Sequence, residues 1–349
     1  MPVTGASGGS AASLRDVARL AGVSHQTVSR VINGYPSIRE STRTRVLAAI
    51  DELNYRPNSL ARALASGRSR RIGVLIESTS HYGPMNMLRG VEAAARVADY
   101  TAMAYTVRRA YPNDFQHGIE YLLGHDIEAL CILAPRQSSL EGLRDFTLPR
   151  ATVVIGSSQP DVDKIAGAGA IISVAVDQYA GGVAAAEHLV EKGHSVIGHI
   201  SGPLDWVDAR QRRQAWQDTL TVRGLPVPEP ILGDWSADSG YRAAEQVMRI
   251  PDLSAVFAAN DQMALGLIHG LSEHGVRVPD DISVVGFDDI PECRHFLPPL
   301  TTVRQNFALL GHLSVAATLH LLGEAPQPDR LTVAPTLVTR SSVRDLNAS

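Results

Sequence analysis

The sequence predicts an all-α helix-turn-helix head and a short hinge helix, joined to an α/β body of two doubly wound parallel-sheet subdomains. Three observations predict this fold class. Two short amphipathic segments flank a glycine turn near residue 22, strand-like and helix-like segments alternate from residue 71 onward, and the alternation falls into two blocks. With 349 residues, the chain exceeds the ~250–300 residues at which a single hydrophobic core stops growing, so several cores are expected.

The first amphipathic segment begins with a helix-start signal. Ser13 can cap the helix while Asp16, three residues later, can bond back to the cap, which is the pattern of a capping box. The apolar inner face of this helix would consist of Leu14, Val17, Ala18 and Ala21. Residues 1–12 are rich in Gly, Ser and Ala and lack the basic and apolar regions of a signal peptide, so we expect a flexible tail there.

The second segment predicts a helix that reads DNA. Ser24 is a good N-cap, and Val23 and Val28 have the spacing of a hydrophobic staple. Val28, Val31 and Ile32 would be buried, which leaves the opposite face to His25, Gln26, Ser29, Arg30 and Asn33. Arginine can bind guanine, and glutamine or asparagine can bind adenine, through paired hydrogen bonds in the major groove. The alternative is an ordinary helical hairpin with a polar outer face.

The distribution of charge favours the DNA interpretation. Residues 1–70 hold ten arginines and four acidic residues, a net charge of +6. Because the whole chain carries −4, the remaining residues carry −10. A basic head on an acidic body is expected when only the head meets a polyphosphate.

A third helix over residues 40–53 would close a small three-helix core. Its expected apolar stripe consists of Val46, Leu47, Ile50 and Leu53. Arg43 and Arg45 flank the stripe, and their pattern fits phosphate contacts and a solvated face equally well.

A two-turn helical pattern, residues 58–65, follows the helix-breaking Pro57. A helix this short is not stable alone in water, so we expect it to form only when a partner holds it. Leu64 on this helix could wedge between base steps in the minor groove, or it could cap the core of the head.

The rest of the chain predicts parallel sheets covered by helices on both faces. Strands are expected over residues 72–76, 101–107, 129–133, 152–155, 171–176, 196–200, 255–259 and 282–287. Helices are expected over residues 85–99, 114–124, 138–145, 179–192, 207–223, 239–249 and 262–274. Because sites in open α/β sheets lie at the carboxyl ends of strands, a ligand held between the two blocks would contact strand ends from both.

Several stretches together resemble the lactose/galactose repressor family of bacterial transcription regulators. In the head these are Leu14-Arg15-Asp16-Val17-Ala18, Ala21-Gly22-Val23-Ser24, Thr27-Val28-Ser29-Arg30-Val31-Ile32-Asn33 and Leu53-Asn54-Tyr55-Arg56-Pro57-Asn58. In the body they include Gly233-Asp234-Trp235-Ser236, Ala259-Asn260-Asp261-Gln262-Met263-Ala264 and Gly286-Phe287-Asp288-Asp289. The resemblance implies a body like that of periplasmic sugar-binding proteins, with three chain crossings between its subdomains.

The resemblance also implies domain boundaries. Residues 13–57 would bind DNA, residues 58–70 would form the hinge helix and linker, and residues 71–345 would bind an effector and dimerise. Within the body, the N-subdomain would comprise residues 71–170 and 306–330, and the C-subdomain residues 171–305 and 331–345.

For the DNA contacts, the resemblance assigns base reading to His25, Gln26 and Arg30. Ser24, Ser29 and Asn33 would steady these contacts, and Leu64 of both protomers would enter the centre of the operator. Further candidates for DNA contact are Ser13, Arg15, Thr27 and Asn58.

For the effector site, the resemblance implies contacts from both halves of the body. The expected residues are Glu77, Ser78, Arg210, Trp235, Asn260, Asp288 and Gln305. Arginine and carboxylates suit the hydroxyl groups of a sugar, and an indole face suits its C–H surface.

Together these inferences predict a homodimeric, cytoplasmic repressor of carbohydrate-utilisation genes, associated with the nucleoid when bound to DNA. It would bind a pseudo-palindromic operator and be released by a small sugar, although a corepressor role for the sugar stays open. No metal, cofactor, membrane segment or assembled catalytic constellation is expected. The competing classes are a sugar-binding transport receptor and an α/β sugar enzyme.

Overall fold

The computed structural model describes residues 12–32, 35–55, 67–77, 81–108, 113–133, 136–143, 146–149, 151–156 and 171–348. The chain divides into two compact units, residues 1–69 and residues 70–349, which we call the head and the body. The expected hinge helix, including Asn58 and Leu64, lies outside the described residues, as do Asn33 and Ser78.

The described part of the head contains three helices: α1 (Leu14–Ala21), α2 (His25–Ile32) and α3 (Glu40–Glu52). Val17, Val28 and Val46, one from each helix, are fully buried and form the centre of its core. The expectation that Leu47 belongs to this core was wrong, because its side chain is 51% exposed. Successive residues on a helix point about 100° apart, so a stripe that buries Val46 turns Leu47 outward.

The body consists of two halves, each built on a six-stranded sheet. In the first half, the strands are β1 (Arg71–Ile76), β2 (Thr101–Thr106), β3 (Ala129–Leu133), β4 (Thr152–Ile155), β5 (Ile171–Val176) and β11 (Thr332–Val333). Their order is β11-β5-β4-β3-β1-β2, and all of the pairings are parallel. The helices are α4 (Tyr82–Val97), α5 (Asp114–Leu123), α6 (Gln137–Gly142) and α11 (Phe307–Leu321).

In the second half, the strands are β6 (Ile197–Ser201), β7 (Ile231–Leu232), β8 (Ala255–Ala258), β9 (Ser283–Asp288), β10 (Thr301–Arg304) and β12 (Thr336–Val338). Their order is β12-β10-β9-β8-β6-β7, parallel except for the antiparallel pairing of β12 with β10. The helices are α7 (Gln178–Glu191), α8 (Val207–Val222), α9 (Ala237–Val247) and α10 (Asp261–Glu273), and a 3-10 turn spans Pro291–His295.

Two of the expected subdomain boundaries need correction. We expected residue 171 to begin the C-subdomain, but β5 extends the first sheet by pairing with β4 from Thr152↔Ile171 to Ile155↔Val174. Residues 331–345, also assigned to the C-subdomain, are shared between the halves, since β11 pairs with β5 and β12 with β10. The apolar pattern predicts a strand, but only its hydrogen-bonding partner decides to which sheet it belongs.

Apolar side chains cover both faces of each sheet. In the first half, α4 and α11 pack on one face, and residues of α5 on the other. In the second half, α9 and α10 pack on one face and α7 and α8 on the other. The chain passes between the halves three times, after β5, after β10 and between β11 and β12. Each passage leaves the carboxyl end of a strand, so the halves meet where ligand sites of α/β sheets lie.

Candidate nucleic-acid interface and ligand cleft

Helix caps set where α1 begins and ends and where α2 begins. Ser13 Oγ accepts a hydrogen bond from Asp16 N (3.3 Å), and Ser13 N donates to the Asp16 carboxylate (3.0 Å), which confirms the capping box. Gly22 ends α1 with φ 63°, a left-handed conformation that glycine adopts without strain. Ser24 Oγ then accepts from Thr27 N (3.2 Å) at the start of α2. The caps set the ends of the two helices, and a shared apolar core packs α2 against α1.

The outer face of α2 is polar and accessible. Val28 and Val31 point into the core, while His25, Gln26 and Arg30 are exposed. The other expected DNA-contact residues differ in exposure: Ser13, Arg15 and Ser24 are exposed, and Thr27 and Ser29 are half-buried. The Thr27 hydroxyl lies 3.0 Å from the Ser24 hydroxyl, so these two side chains take part in the cap. This face has the shape and the donors that base edges in a major groove require.

The two arginines of α3 differ in their surroundings. Arg43 donates to the Tyr35 carbonyl oxygen (3.1 Å) and lies 3.8 Å from a Glu40 carboxylate oxygen, so it stabilises the start of the helix. Arg45 is exposed, which keeps it as the candidate for phosphate contact.

A cleft of about 340 Å³, including its open mouth, lies between the halves of the body. Strand ends and the turns after them from both sheets line it. The lining residues are His81, Tyr82, Gly83, Pro84, Trp206, Asp208, Arg212, Trp235, Asn260, Asp288 and Gln305. Residues of both halves therefore face one shared space.

A closed ring of polar side chains forms the floor of the cleft. Arg212 Nε donates to Gln178 Oε1 (2.9 Å), Gln178 Nε2 donates to Gln305 Oε1 (2.9 Å), and Gln305 Nε2 donates to Asp288 Oδ1 (2.6 Å). Asp288 Oδ1 lies 3.8 Å from Arg212 Nη2, which completes the ring. Arg212 also donates to the Ala259 carbonyl oxygen (2.5 Å). The floor is therefore preorganised before any ligand enters.

Two buried carboxyls compete for the one guanidinium of the floor. Asp208 and Asp288 each lie 3.8 Å from Arg212 Nη2. Burial raises the pKa of Asp208 to about 6, and attraction to Arg212 only partly opposes it. Burial likewise raises the pKa of Asp288 to about 6, against Arg212 and the hydrogen bond from Gln305. The cleft thus holds more negative charge than its arginine can balance.

Two polar atoms of the cleft have no hydrogen-bond partner within the described part of the chain. They are Asp208 Oδ1 and Trp235 Nε1, and both are buried. A buried polar atom without a partner typically costs about 1–3 kcal/mol. One of these atoms is an acceptor and the other a donor, so a ligand hydroxyl group can satisfy either.

Aromatic rings form the walls. The Trp206 ring meets the His81 ring edge to face at 5.2 Å and 84°, and meets the Trp235 ring at 5.6 Å and 71°. Burial is the main cause that lowers the pKa of His81, with Arg136 contributing, so its imidazole is neutral at pH 7. Burial and then the charge of Asp288 raise the pKa of Tyr82 to about 12, which keeps its hydroxyl protonated.

The structure brings together Trp235, Asn260, Asp288 and Gln305, four of the seven effector residues expected from the sequence. Asn260 is also engaged locally: it caps α10 by accepting from Met263 N (2.9 Å) and donates to the Trp235 carbonyl oxygen (3.0 Å). Its amide therefore fixes the wall that carries Trp235.

The expectation for Arg210 needs correction. Its guanidinium donates to Gln137 Oε1 (3.0 Å), and Arg212 lines the cleft in its place. Two positions along a helix rotate a side chain by about 200°, so the two arginines point in nearly opposite directions. Glu77, also expected at the effector, is buried and does not line the cleft. Its carboxylate is directed to Arg136 instead, with Oε2 3.5 Å from Arg136 Nε.

Sequence reasoning missed several lining residues, above all Asp208 and Arg212. A signal for both was present, since they are four residues apart on one face of a helix that directly follows a strand. Trp206 stands at the N-cap of the same helix. No group of three or more metal-ligating side chains occurs among the residues that the structure describes. Within that same part of the chain, every helix is too short or too polar to span a membrane.

Comparison with known proteins links both sites to a single family. The model of the bacterial regulatory proteins of the lacI family matches residues 13–58, and that of a periplasmic binding protein-like domain matches residues 186–343. The lactose operon repressor of Escherichia coli is 36% identical over 322 residues, 91% of this chain and 87% of the repressor. The HTH-type transcriptional repressor PurR of Photobacterium profundum is 33% identical over 343 residues, 96% of this chain and 100% of that protein.

The same likeness holds in three dimensions. The crystal structure of the lac repressor dimer bound to operator and the anti-inducer ONPF matches with a TM-score of 0.81 at 33% identity. The match covers 96% of this chain and 100% of that chain. It confirms the predicted fold class of a helix-turn-helix head and a body of two parallel α/β halves.

Proposed function

We propose, from the premise that the chain belongs to the lacI family of bacterial regulatory proteins, that this DNA-binding transcriptional repressor responds to a small sugar. It would control carbohydrate-utilisation genes and leave its operator when the sugar fills the cleft. The family consists of repressors and not enzymes, so neither an enzyme nor a transport receptor fits the chain. We place its action in the cytoplasm, at the nucleoid when it is bound to DNA.

The observation that carries the sugar proposal is the pair of unsatisfied polar atoms, Asp208 Oδ1 and Trp235 Nε1, beside indole walls. Neighbouring hydroxyl groups of a sugar can donate to the carboxylate and accept from the indole N–H. The C–H surface of the same sugar can pack on the Trp206 and Trp235 rings. A neutral polyol therefore satisfies the cleft without adding charge to it.

The shape of the cleft favours a sugar over a purine. A planar base stacks best between rings that lie parallel, at offset or face-to-face geometry. The wall rings that touch one another meet at 84° and 71°, so neither touching pair presents parallel faces. The floor offers carboxylates and amides, which suit several hydroxyl donors better than the few donors of a purine edge.

On DNA, we propose a homodimer on a pseudo-palindromic operator. Each α2 would enter the major groove of one half-site, with His25, Gln26 and Arg30 at base edges and Ser24 and Ser29 nearer the backbone. A dimer presents its two helices with the two-fold symmetry of such a site. Leu64 keeps its proposed role at the operator centre, and Asn58 remains a candidate for DNA contact.

The sugar and the operator would be linked through the relation between the two halves of the body. Each ligand favours the arrangement that it binds more tightly, and the sugar can weaken operator binding only by its differential affinity for the two arrangements. The cleft is suited to this linkage because its lining comes from both halves.

A thermal-shift screen tests the sugar proposal. The panel comprises D-glucose, D-galactose, D-ribose, maltose, cellobiose and lactose, with guanine and hypoxanthine as the purine arm. A ligand that binds the folded chain raises its apparent melting temperature. We expect a sugar to do so; stabilisation by a purine alone would overturn the assignment.

Two arginine variants supply a matched comparison in the same screen. Arg212→Met should abolish the sugar-induced shift, since it removes the cation from the floor, whereas Arg210→Met should retain it. A gel shift on DNA from upstream of the chain's own gene then tests release. Tighter DNA binding in the presence of the sugar would contradict the inducer role.

A further inference from the structure

A second connection between the two halves of the body lies beside the cleft. Arg136 and Trp206 pair as an antiparallel β-bridge, and Gln137 N donates to the Asp205 carbonyl oxygen (2.9 Å). Ser138 Oγ donates to Asp205 Oδ2 (3.0 Å). We call this contact between residues 136–138 of the first half and residues 205–206 of the second half the strap. Unlike the three chain crossings, the strap is noncovalent and can open.

The Arg136 side chain lies at the centre of the strap. Its Cζ stands 4.7 Å from the centroid of the Trp206 ring. Its Nε lies 3.5 Å from Glu77 Oε2 of the first half, and its Nη1 lies 3.6 Å from Asp205 Oδ2 of the second. The side chain is only 11% exposed, so little water weakens these interactions. One guanidinium therefore holds a carboxylate from each half and one face of an indole.

That indole is part of the ligand site. Trp206 lines the cleft, is 3% exposed, and touches the His81 and Trp235 rings. Because Arg136 occupies a ring face and the two aromatic neighbours approach at steep angles, the orientation of Trp206 depends on the strap. An open strap would leave this wall free to rotate.

We propose that Arg136 is a positioning residue for the effector: it holds Trp206 as a rigid wall and makes that wall depend on contact between both halves. This inference rests on the proposed function for its ligand, a sugar. Filling the cleft then favours the arrangement in which the strap is closed, and closing the strap increases the affinity of the cleft. Arg136 itself touches no ligand, since it does not line the cleft.

The first test needs no ligand. In a Trp235→Phe background, the emitting indoles are Trp206 and Trp216, and the latter is 1% exposed in the core. Quenching by acrylamide therefore reports the freedom of Trp206. Arg136→Gln should increase the quenching constant, and Arg136→Lys should restore part of the protection because it keeps a cation over the ring. Arg249→Gln, which removes an exposed arginine paired with Glu245 outside the strap, is the control and should leave quenching unchanged.

The second test measures binding by calorimetry with the six sugars of the screen. Because Arg136→Gln removes the cation that holds the Trp206 ring, it should weaken sugar binding by about tenfold. Asp205→Asn, which weakens the strap without changing Arg136, should move quenching and affinity in the same direction. It keeps the test informative if Arg136→Gln fails to fold.

The outcomes separate this inference from the proposed function. If both Arg136→Gln and Asp205→Asn match Arg249→Gln in quenching and in sugar affinity, the positioning role is wrong. If no sugar of the panel binds the unmodified chain, the sugar proposal fails, while the quenching comparison still decides whether Arg136 holds Trp206.

Discussion

At the scale of single residues, the buried carboxyl groups in the floor of the cleft lower the stability of the ligand-free protein at neutral pH. Asp208 and Asp288 share Arg212, and the pKa of each carboxyl is raised from 3.8 to about 6, mainly by burial. A carboxyl whose folded pKa is raised binds its proton more tightly in the folded state. Its contribution to stability is therefore fully present below about pH 4 and is lost as the pH rises through about 6.

Asp208→Asn should consequently stabilise the ligand-free protein at pH 7.5, by about 1–3 kcal/mol, because it removes a buried charge that lacks a full partner. The gain should shrink toward zero as the pH falls to 4, and sugar affinity should decrease. Melting temperatures of variant and parent across this pH range measure the difference. A stability difference that does not change with pH would contradict this account.

At the scale of elements, the caps at Gly22 and Ser24 set the start of α2, and its buried Val28 and Val31 turn the polar side chains of the helix toward solvent. Arg30 is exposed on that face and lies in the last turn of the helix. Arg30→Ala should cost about 1–3 kcal/mol on the true operator and relax the preference at one guanine. Quantitative gel shifts on the operator and on random DNA measure both effects, with the exposed body residue Arg249→Ala as control. Equal losses on both DNAs would exclude base reading.

The pairing of α4 with α11 depends on two glycines. A Cβ atom built on Gly311 would collide with the backbone carbon of Gly90, and one on Gly90 would collide with the Phe307 carbonyl oxygen. Gly311→Ala must push the helices apart and should destabilise the body by about 1–3 kcal/mol. Gly124→Ala, where the Cβ meets only ordinary contacts of 3.4 Å and longer, is the control for denaturant unfolding. If Gly311→Ala is as stable as this control, the two helices can separate without loss of stability, and the prediction is wrong.

Individual elements could be predicted from the sequence because their signals are local. The capping box of Ser13, the staple beneath α2 and the alternation of strands and helices depend on residues a few positions apart. Membership of a sheet is not local, which is why β5 was assigned to the wrong half. The choice between Arg210 and Arg212 failed for a similar reason, since it depends on the rotation of α8 against its neighbours. The unsatisfied atoms of the cleft depend on burial, which a single sequence does not display.

At the scale of the whole molecule, the two units divide charge as well as function. The body, residues 70–349, carries −9, while the head, residues 1–69, carries +5. A fragment of residues 70–349 should therefore bind the sugar with the affinity of the full chain but bind no DNA, even at low ionic strength. Calorimetry and gel shifts on the fragment and the full chain provide the comparison. DNA binding by the fragment would show that the body contributes contacts of its own.

The three chain crossings restrict how the halves of the body can move. All of them leave the carboxyl ends of strands, after Val176, Arg304 and Val333. With these ends tethered, the first half can swing about them but cannot translate away. Arg71, at the opposite end of β1, lies five residue steps from Ile76, about 17 Å of strand. A swing of about 10° would carry Arg71 through about 3 Å over that length. A slight closure around the ligand therefore produces a larger displacement at Arg71, the first residue of β1, because the length of the strand amplifies the rotation.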